Sequence, residues 1–178
     1  MFVSNFVLVI SALIYGAAAN PYQLHPTVNS GSSLEAFEAA EYKLAWLIDS
    51  KNYTAFGEVL TNDVVYDSTD LGAYGGRSEG LEQTVAAIRS ASAGARVSHI
   101  VTNSLVFDAI TPTKWRTDTY ITWSHWVEDA LDDITKTFRI FYRCDDIWVL
   151  QNGAWKLQYS KVYNMGYGAE APFYGKKS

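Results

Sequence analysis

The hydrophobic pattern changes period near the middle of the chain. From Ser32 onward, "SSLEAFEAAEYKLAWLIDSKN" opens with a capping-box pair, Ser32 and Glu35. It then places Leu34, Phe37, Glu41 or Tyr42, Leu44, Ala45 and Ile48 at three- and four-residue steps. That spacing predicts an amphipathic helix with Asp49 bordering its apolar stripe. "YTAFGEVL" reads as a short second helix, "DVVYDST" as a strand and "GAYGGRS" as a turn or short strand. Ser78 then caps a third helix, "EGLEQTVAAIRSAS", which Gly94 closes. Beyond it the period falls to two, with strand-like runs "ARVSHIVTNSLVFD", "KWRTDTYITWSHWV", "ITKTFRIFYRCDDIWVL" and "AWKLQYSKVYNM". Pro112 breaks the first pair, "EDALDD" the second, and Asn152-Gly153 is a hairpin signal between the last two. The order predicts an α+β fold with three helices covering one face of a curved, mostly antiparallel sheet.

At the N-terminus, an apolar run from Phe6 to Ile14 precedes Ala17 and Ala19, an A-x-A pattern that reads as a secretory signal peptide over residues 1–19. A polar lead follows over 20–33, the domain over 34–165, and a Gly- and Tyr-rich tail over 166–178. Asn52-Tyr53-Thr54 is a glycosylation sequon consistent with a secreted protein. The net charge of -5 lacks any basic run, which argues against nucleic acid or an anionic membrane as partner once the leader is removed. The lone Cys144 rules out an internal disulfide and reads as a small buried hydrophobe. The tryptophans, Trp115, Trp148 and Trp155 among them, read as core or interface residues. His25, beside Pro26, reads as exposed, and Arg139 and Arg143 as outer-surface residues.

Strand parity puts polar groups in apolar company. Val97, His99, Val101, Asn103, Leu105 and Phe107 share one face of the first long strand; Ile121, Trp123, His125 and Val127 share one face of the next. Two imidazoles are thereby brought to one side of the sheet, beneath the helix carrying Asp49. The same three groups would also suit a metal triad, although no close His/carboxylate motif supports one.

"LIDSKNY", "SHI", "YITWSH" and "QNGAWKL", taken with the element order, resemble scytalone dehydratase and the wider NTF2-like, SnoaL-like superfamily over Leu34 to Tyr163. The resemblance implies a cone-shaped fold around an internal pocket, a homodimer or homotrimer, and no cofactor. Its catalytic aspartate and two histidines fall on Asp49, His99 and His125. Its helix tyrosine is replaced by Ile48, its strand tyrosine falls at Asp67 or Tyr66, and its later serine and asparagine fall near Tyr142 and Cys144. The expected substrate-contacting set is therefore Tyr66, Asp67, Asn103, Trp123, Tyr142 and Cys144. Asp49 is expected to orient His125 as general base and then acid, with His99 and Tyr66 polarising a carbonyl or positioning water. The expected reaction is dehydration, isomerisation or cyclisation of a polyketide-like or terpenoid metabolite. The alternative is a secreted carrier that binds such a molecule unchanged.

Overall fold

The structure, a computed structural model, describes the backbone of residues 30–166 and the side chains of 34–166. The expected leader, His25 and almost all of the tail lie outside the described residues, as does the side chain of Ser32 in the expected capping box. Helix α1 (Ser30–Asp49) is followed by a 3₁₀ segment (Tyr53–Glu58), strand β1 (Leu60–Asp67), a second 3₁₀ segment (Thr69–Tyr74), β2 (Arg77–Glu79) and α2 (Leu81–Ala91). Four long strands complete the chain: β3 (Ala95–Thr111), β4 (Lys114–Val127), β5 (Thr137–Gln151) and β6 (Ala154–Asn164). The six strands form one sheet in the order β2-β1-β6-β5-β4-β3, antiparallel throughout except for the parallel β1–β6 pair. This is the expected α+β cone, a curved and unclosed sheet with both α-helices over one face. Among the described residues no helix is long and apolar enough to cross a membrane.

Two helix expectations change. The expected second helix is a single 3₁₀ segment, because Val59 already turns the chain into β1. Ser78 does not cap α2: it lies in β2 and its hydroxyl meets Thr84 Oγ1 at 2.9 Å, while Gly80, at φ 83°, occupies the N-cap. Only a residue tolerant of positive φ makes that sharp turn at low cost. The Asn152-Gly153 hairpin forms as expected, both residues having positive φ.

One end of the cone is filled and the other is open. Phe37 of α1 meets Trp115, Trp148 and Trp155 edge-on, with ring centroids 5.5–6.1 Å apart. All four rings are buried, and Leu47, Phe56, Val64 and Leu157 complete this core. The stripe on α1 uses Glu41 rather than Tyr42: Glu41 is buried and Tyr42 is 55% exposed. The steps 37, 41, 44 and 48 follow the helical repeat, and Tyr42 falls off that line.

Strand β3 departs from simple alternation. The pairing with β4 shifts between Val101 and Asn103, a β-bulge at Thr102. Beyond it the inward positions are Ser104 and Val106, so Leu105 and Phe107 join Ile100, Tyr120 and Phe141 as exposed apolar groups on the outer face. Trp115, fully buried against the rings of Phe37 and Trp155, anchors the filled end. Trp115→Ala should therefore cost about 3–5 kcal/mol in urea unfolding, whereas Phe107→Ala on the outer face should cost less than about 1 kcal/mol.

Candidate functional site

The open end holds two connected chambers, an outer one of about 280 Å³ and an inner one of about 50 Å³. Ile48, Tyr66, Ile88, His99 and Tyr142 line both, so they form the neck between them. The second 3₁₀ segment and the C-terminal half of α2 wall the outer chamber. The loop from Ser68 to Gly76 is closed by Ser68 N–H donating to the Gly76 carbonyl at 2.8 Å. At Gly75 the backbone passes so close that a Cβ would lie 1.8 Å from the Ser68 carbonyl oxygen.

At the neck, Asp49 holds His99 through both carboxylate oxygens. Oδ1 lies 2.6 Å from His99 Nδ1, and Oδ2 accepts from the His99 backbone N–H at 2.9 Å. This corrects the expected pairing of Asp49 with His125. The register explains the difference: His99 stands opposite Trp123, and His125 stands opposite Val97. The two histidines share a face but are diagonal neighbours with the Trp123 indole between them. That indole stacks on His99 (6.0 Å, 16°) and meets His125 edge-on (5.8 Å, 89°).

His125 lines neither chamber. Its ring stacks on Phe138 at 4.5 Å and leans against Tyr74, and its buried Nδ1 has no hydrogen-bond partner among the described residues. Burial lowers its pKa, which keeps the ring neutral. Asp49, His99 and His125 therefore do not converge as a metal triad. Among the described residues, no group of three or more histidine, cysteine or acidic side chains is placed to hold a metal ion.

The expected contact residues divide. Tyr66 and Tyr142 face both chambers, Trp123 the outer and Cys144 the inner. Burial raises both phenols well above their ordinary pKa, so each is a neutral hydroxyl at physiological pH, and it raises the Cys144 thiol likewise, which makes it a poor nucleophile. Asp67 is not a pocket residue. It accepts from the Thr69 hydroxyl at 2.7 Å and pairs with Lys161 at 3.0 Å, and these contacts, the Thr69 bond first, hold its carboxyl down to about 2. Asn103 is exposed, turned away from the cavity by the bulge at Thr102. Asn52 is exposed, with the Thr54 hydroxyl donating to its Oδ1 at 3.0 Å. Arg143 pairs with Asp118 at 3.0 Å.

Two acids in the inner chamber were missed from sequence. Glu41 and Asp146 are 5% and 6% exposed, and both line that chamber. Glu41 Oε1 accepts from Thr119 Oγ1 at 2.7 Å, but Oε2 has no partner among the described residues, nor has Asp146 Oδ1. Burial raises the pKa of both. For Asp146 burial and the nearby Glu41 outweigh the Ser160 hydroxyl and carry it to about 8. Parity along β5 held the signal, since Phe138, Ile140, Tyr142, Cys144, Asp146 and Trp148 alternate inward without a break.

The comparisons with known proteins agree with this architecture. The SnoaL-like domain family matches residues 35–161. A protein of known structure from Kribbella flavida, Kfla4162, superposes with a TM-score of 0.68 at 15% identity, covering 78% of this chain and 94% of its own. A candidate scytalone dehydratase from Novosphingobium aromaticivorans gives 0.64 at 13% identity, covering 76% and 85%. A hexachlorocyclohexane dehydrochlorinase (LinA) of type 2 gives 0.62 at 11% identity, covering 76% and 86%. No curated protein matches the chain.

The raised Asp146 pKa has a thermodynamic consequence. An unfolded chain releases this proton near 3.8 and the folded protein holds it until about 8. The native state thus binds more protons between those values, so this group's contribution to stability is full below the lower pKa and is lost as pH rises through the upper. Asp146→Asn should flatten the fall in urea-unfolding free energy between pH 4 and 8 relative to the unsubstituted protein; parallel curves would refute the buried, protonated acid. From its neck between two chambers to its SnoaL-like match over residues 35–161, the chain belongs to the SnoaL-like domain family within the NTF2-like superfamily.

Proposed function

We propose that the protein is a cofactor-independent lyase or isomerase that moves a proton at a carbon next to a carbonyl, using the Asp49–His99 pair. The observation that carries this reading is the double contact of Asp49 with His99 at the neck of the cavity. With Nδ1 bound to the carboxylate, Nε2 is the nitrogen left to meet a ligand, and the carboxylate stabilises the imidazolium that forms when Nε2 takes a proton. His99 replaces His125 in the base role because it is the histidine that lines both chambers and touches Asp49.

For a β-hydroxy ketone the step balances simply. His99 Nε2 removes the proton between carbonyl and carbinol, and a neutral phenol of Tyr66 or Tyr142 donates to the developing enolate oxygen. The imidazolium then returns the proton to the leaving hydroxyl. The C–H and C–O bonds break, a C=C bond forms and water departs. Ending the sequence with reprotonation at another carbon gives isomerisation instead. Two structural neighbours support elimination chemistry by their names, one a candidate dehydratase and the other a dehydrochlorinase. The apolar, aromatic-walled cavity suits a small polyketide-like or terpenoid substrate. Secretion, a glycan at Asn52 and a dimeric or trimeric assembly complete this reading on sequence grounds.

A suitable probe is 3-hydroxy-1-tetralone, which loses water to give fluorescent 1-naphthol. His99→Ala and Asp49→Asn should each lower the enzymatic rate by about 10²–10⁴-fold. His125→Phe, which preserves the aromatic stack on Phe138, should stay within about tenfold. An unimpaired His99→Ala enzyme would overturn the assignment, as would a His125→Phe loss as large as that of His99→Ala.

A further inference from the structure

The two buried acids of the inner chamber take no part in the proton transfer, yet they are placed where a ligand's far end would come to rest. We infer that the inner chamber is a recognition subsite for a carbonyl oxygen, bound by Asp146 acting as a hydrogen-bond donor with Glu41 beside it. The inference rests on the proposed function only in taking the cavity as the ligand site.

Each acid has the same incomplete arrangement. One side of the carboxyl is engaged by hydroxyls, Thr119 with Ser104 nearby for Glu41 and Ser160 with the Trp148 indole nearby for Asp146, and the other oxygen, Oε2 or Oδ1, is buried with no partner among the described residues. A buried polar atom left in this state costs stability, and the cost is recovered when a ligand supplies the missing bond. In a carboxylic acid the proton belongs on the oxygen that does not accept from a hydroxyl. The free oxygen of Asp146 is therefore an O–H donor, and the complementary ligand atom is an acceptor.

The surroundings favour the neutral acid form. Leu44, Val101, Ile121, Trp148 and Leu157 supply much of the chamber wall, its other polar groups beside the two acids are hydroxyls, a thiol and His99, and no lysine or arginine lines it. The titratable groups that face Asp146 are Glu41 from α1, Tyr66 from β1, His99 from β3, and Tyr142 and Cys144 from its own strand. Asp145 adds to its raised pKa from outside the chamber. Of these only His99 could bring positive charge, and its Nδ1 is committed to Asp49. The neck residues Ile48, Tyr66, Ile88, His99 and Tyr142 connect this chamber to the outer one, so a ligand seated there runs past His99. The subsite thus selects substrates carrying a second carbonyl, or a quinone-like or lactone oxygen, at the end remote from the reacting carbon.

The test compares acetophenone with α-methylstyrene, which replaces its C=O by C=CH₂ at nearly constant shape, by ligand-observed NMR titration. At pH 6 acetophenone should bind about tenfold more tightly, the worth of one well-made hydrogen bond to a buried donor. That preference should fade as pH rises beyond about 8, where Asp146 loses its proton. Asp146→Leu should abolish it. Asp146→Asn, whose amide donates at every pH, should keep the preference and remove its pH dependence, so the pair of wild type and Asn variant decides the matter even if the Leu variant does not fold. Equal preference in Asp146→Leu and wild type would overturn the inference, as would tighter binding of benzylammonium than of acetophenone at pH 6. Asp49→Asn, at a residue that lines neither chamber, should leave the acetophenone preference intact while lowering turnover about 10²–10⁴-fold, so failure of the subsite and failure of the catalytic reading are read separately.

Discussion

The Asp49 carboxylate grips both the ring and the backbone of His99, and the placement of the cavity follows from that grip. Helix α1 is held at two points. Phe37 is wedged into the tryptophan cluster, and Asp49 at the last turn is fastened to β3. Twelve residues separate them, about 18 Å along a helix. A helix pinned at both ends over a curved sheet stands clear of it in between, and Glu41, Leu44 and Ile48 look down into the resulting space. The C-terminus of a helix is an unfavourable place for a carboxylate. The two N–H donors of His99 offset this, and in return the imidazole is held in one orientation.

Polarity is graded along the cavity. At the mouth, the Ser68–Gly76 loop satisfies its own polar groups. At the neck, Asp49 and His99 satisfy one another, and the buried phenols of Tyr66 and Tyr142 stand beside them as neutral donors. At the base, Glu41 and Asp146 are only half satisfied. Incomplete polar partnerships are costly to a fold, and the indole N–H of Trp115 in the packed end also lacks a partner among the described residues; what distinguishes the cavity is that two of those it holds are carboxyls.

Strands β4 and β5 were legible because their alternation runs unbroken: Trp123, Tyr142 and Cys144 fall on the inner face as parity requires. The helix stripe, the Asn-Gly hairpin and the family resemblance were legible for similar reasons, each being local in sequence. The partner of Asp49 was not. Parity puts His99 and His125 on one face but is silent on which of them lies beneath the helix end, and that depends on the β3–β4 register and on where α1 terminates. Ser78 misled because a good capping residue was already committed to a strand, leaving Gly80 to make the turn. Asp146 shares the inward parity of Tyr142 and Cys144, but nothing local in sequence separates it from the acid beside it, Asp145. In fact Asp145 points outward to Arg116 at 2.5 Å, and Asp146 points in.

The bulge at Thr102 links these features. Had β3 alternated without interruption, Asn103, Leu105 and Phe107 would have pointed into the cone, and the two larger side chains would have filled the space that the chambers occupy. The extra residue turns them outward and brings the short side chain of Ser104 inward instead. Ser104 Oγ then reaches Thr119 Oγ1 at 3.3 Å, and Thr119 donates onward to Glu41 Oε1 at 2.7 Å. That relay occupies one oxygen of Glu41 and leaves the other facing the inner chamber. A single inserted residue thus empties the cavity and orients an acid within it. Its position three residues beyond His99 means that His99 and the far end of the pocket are set by the same strand, one on each side of the same irregularity.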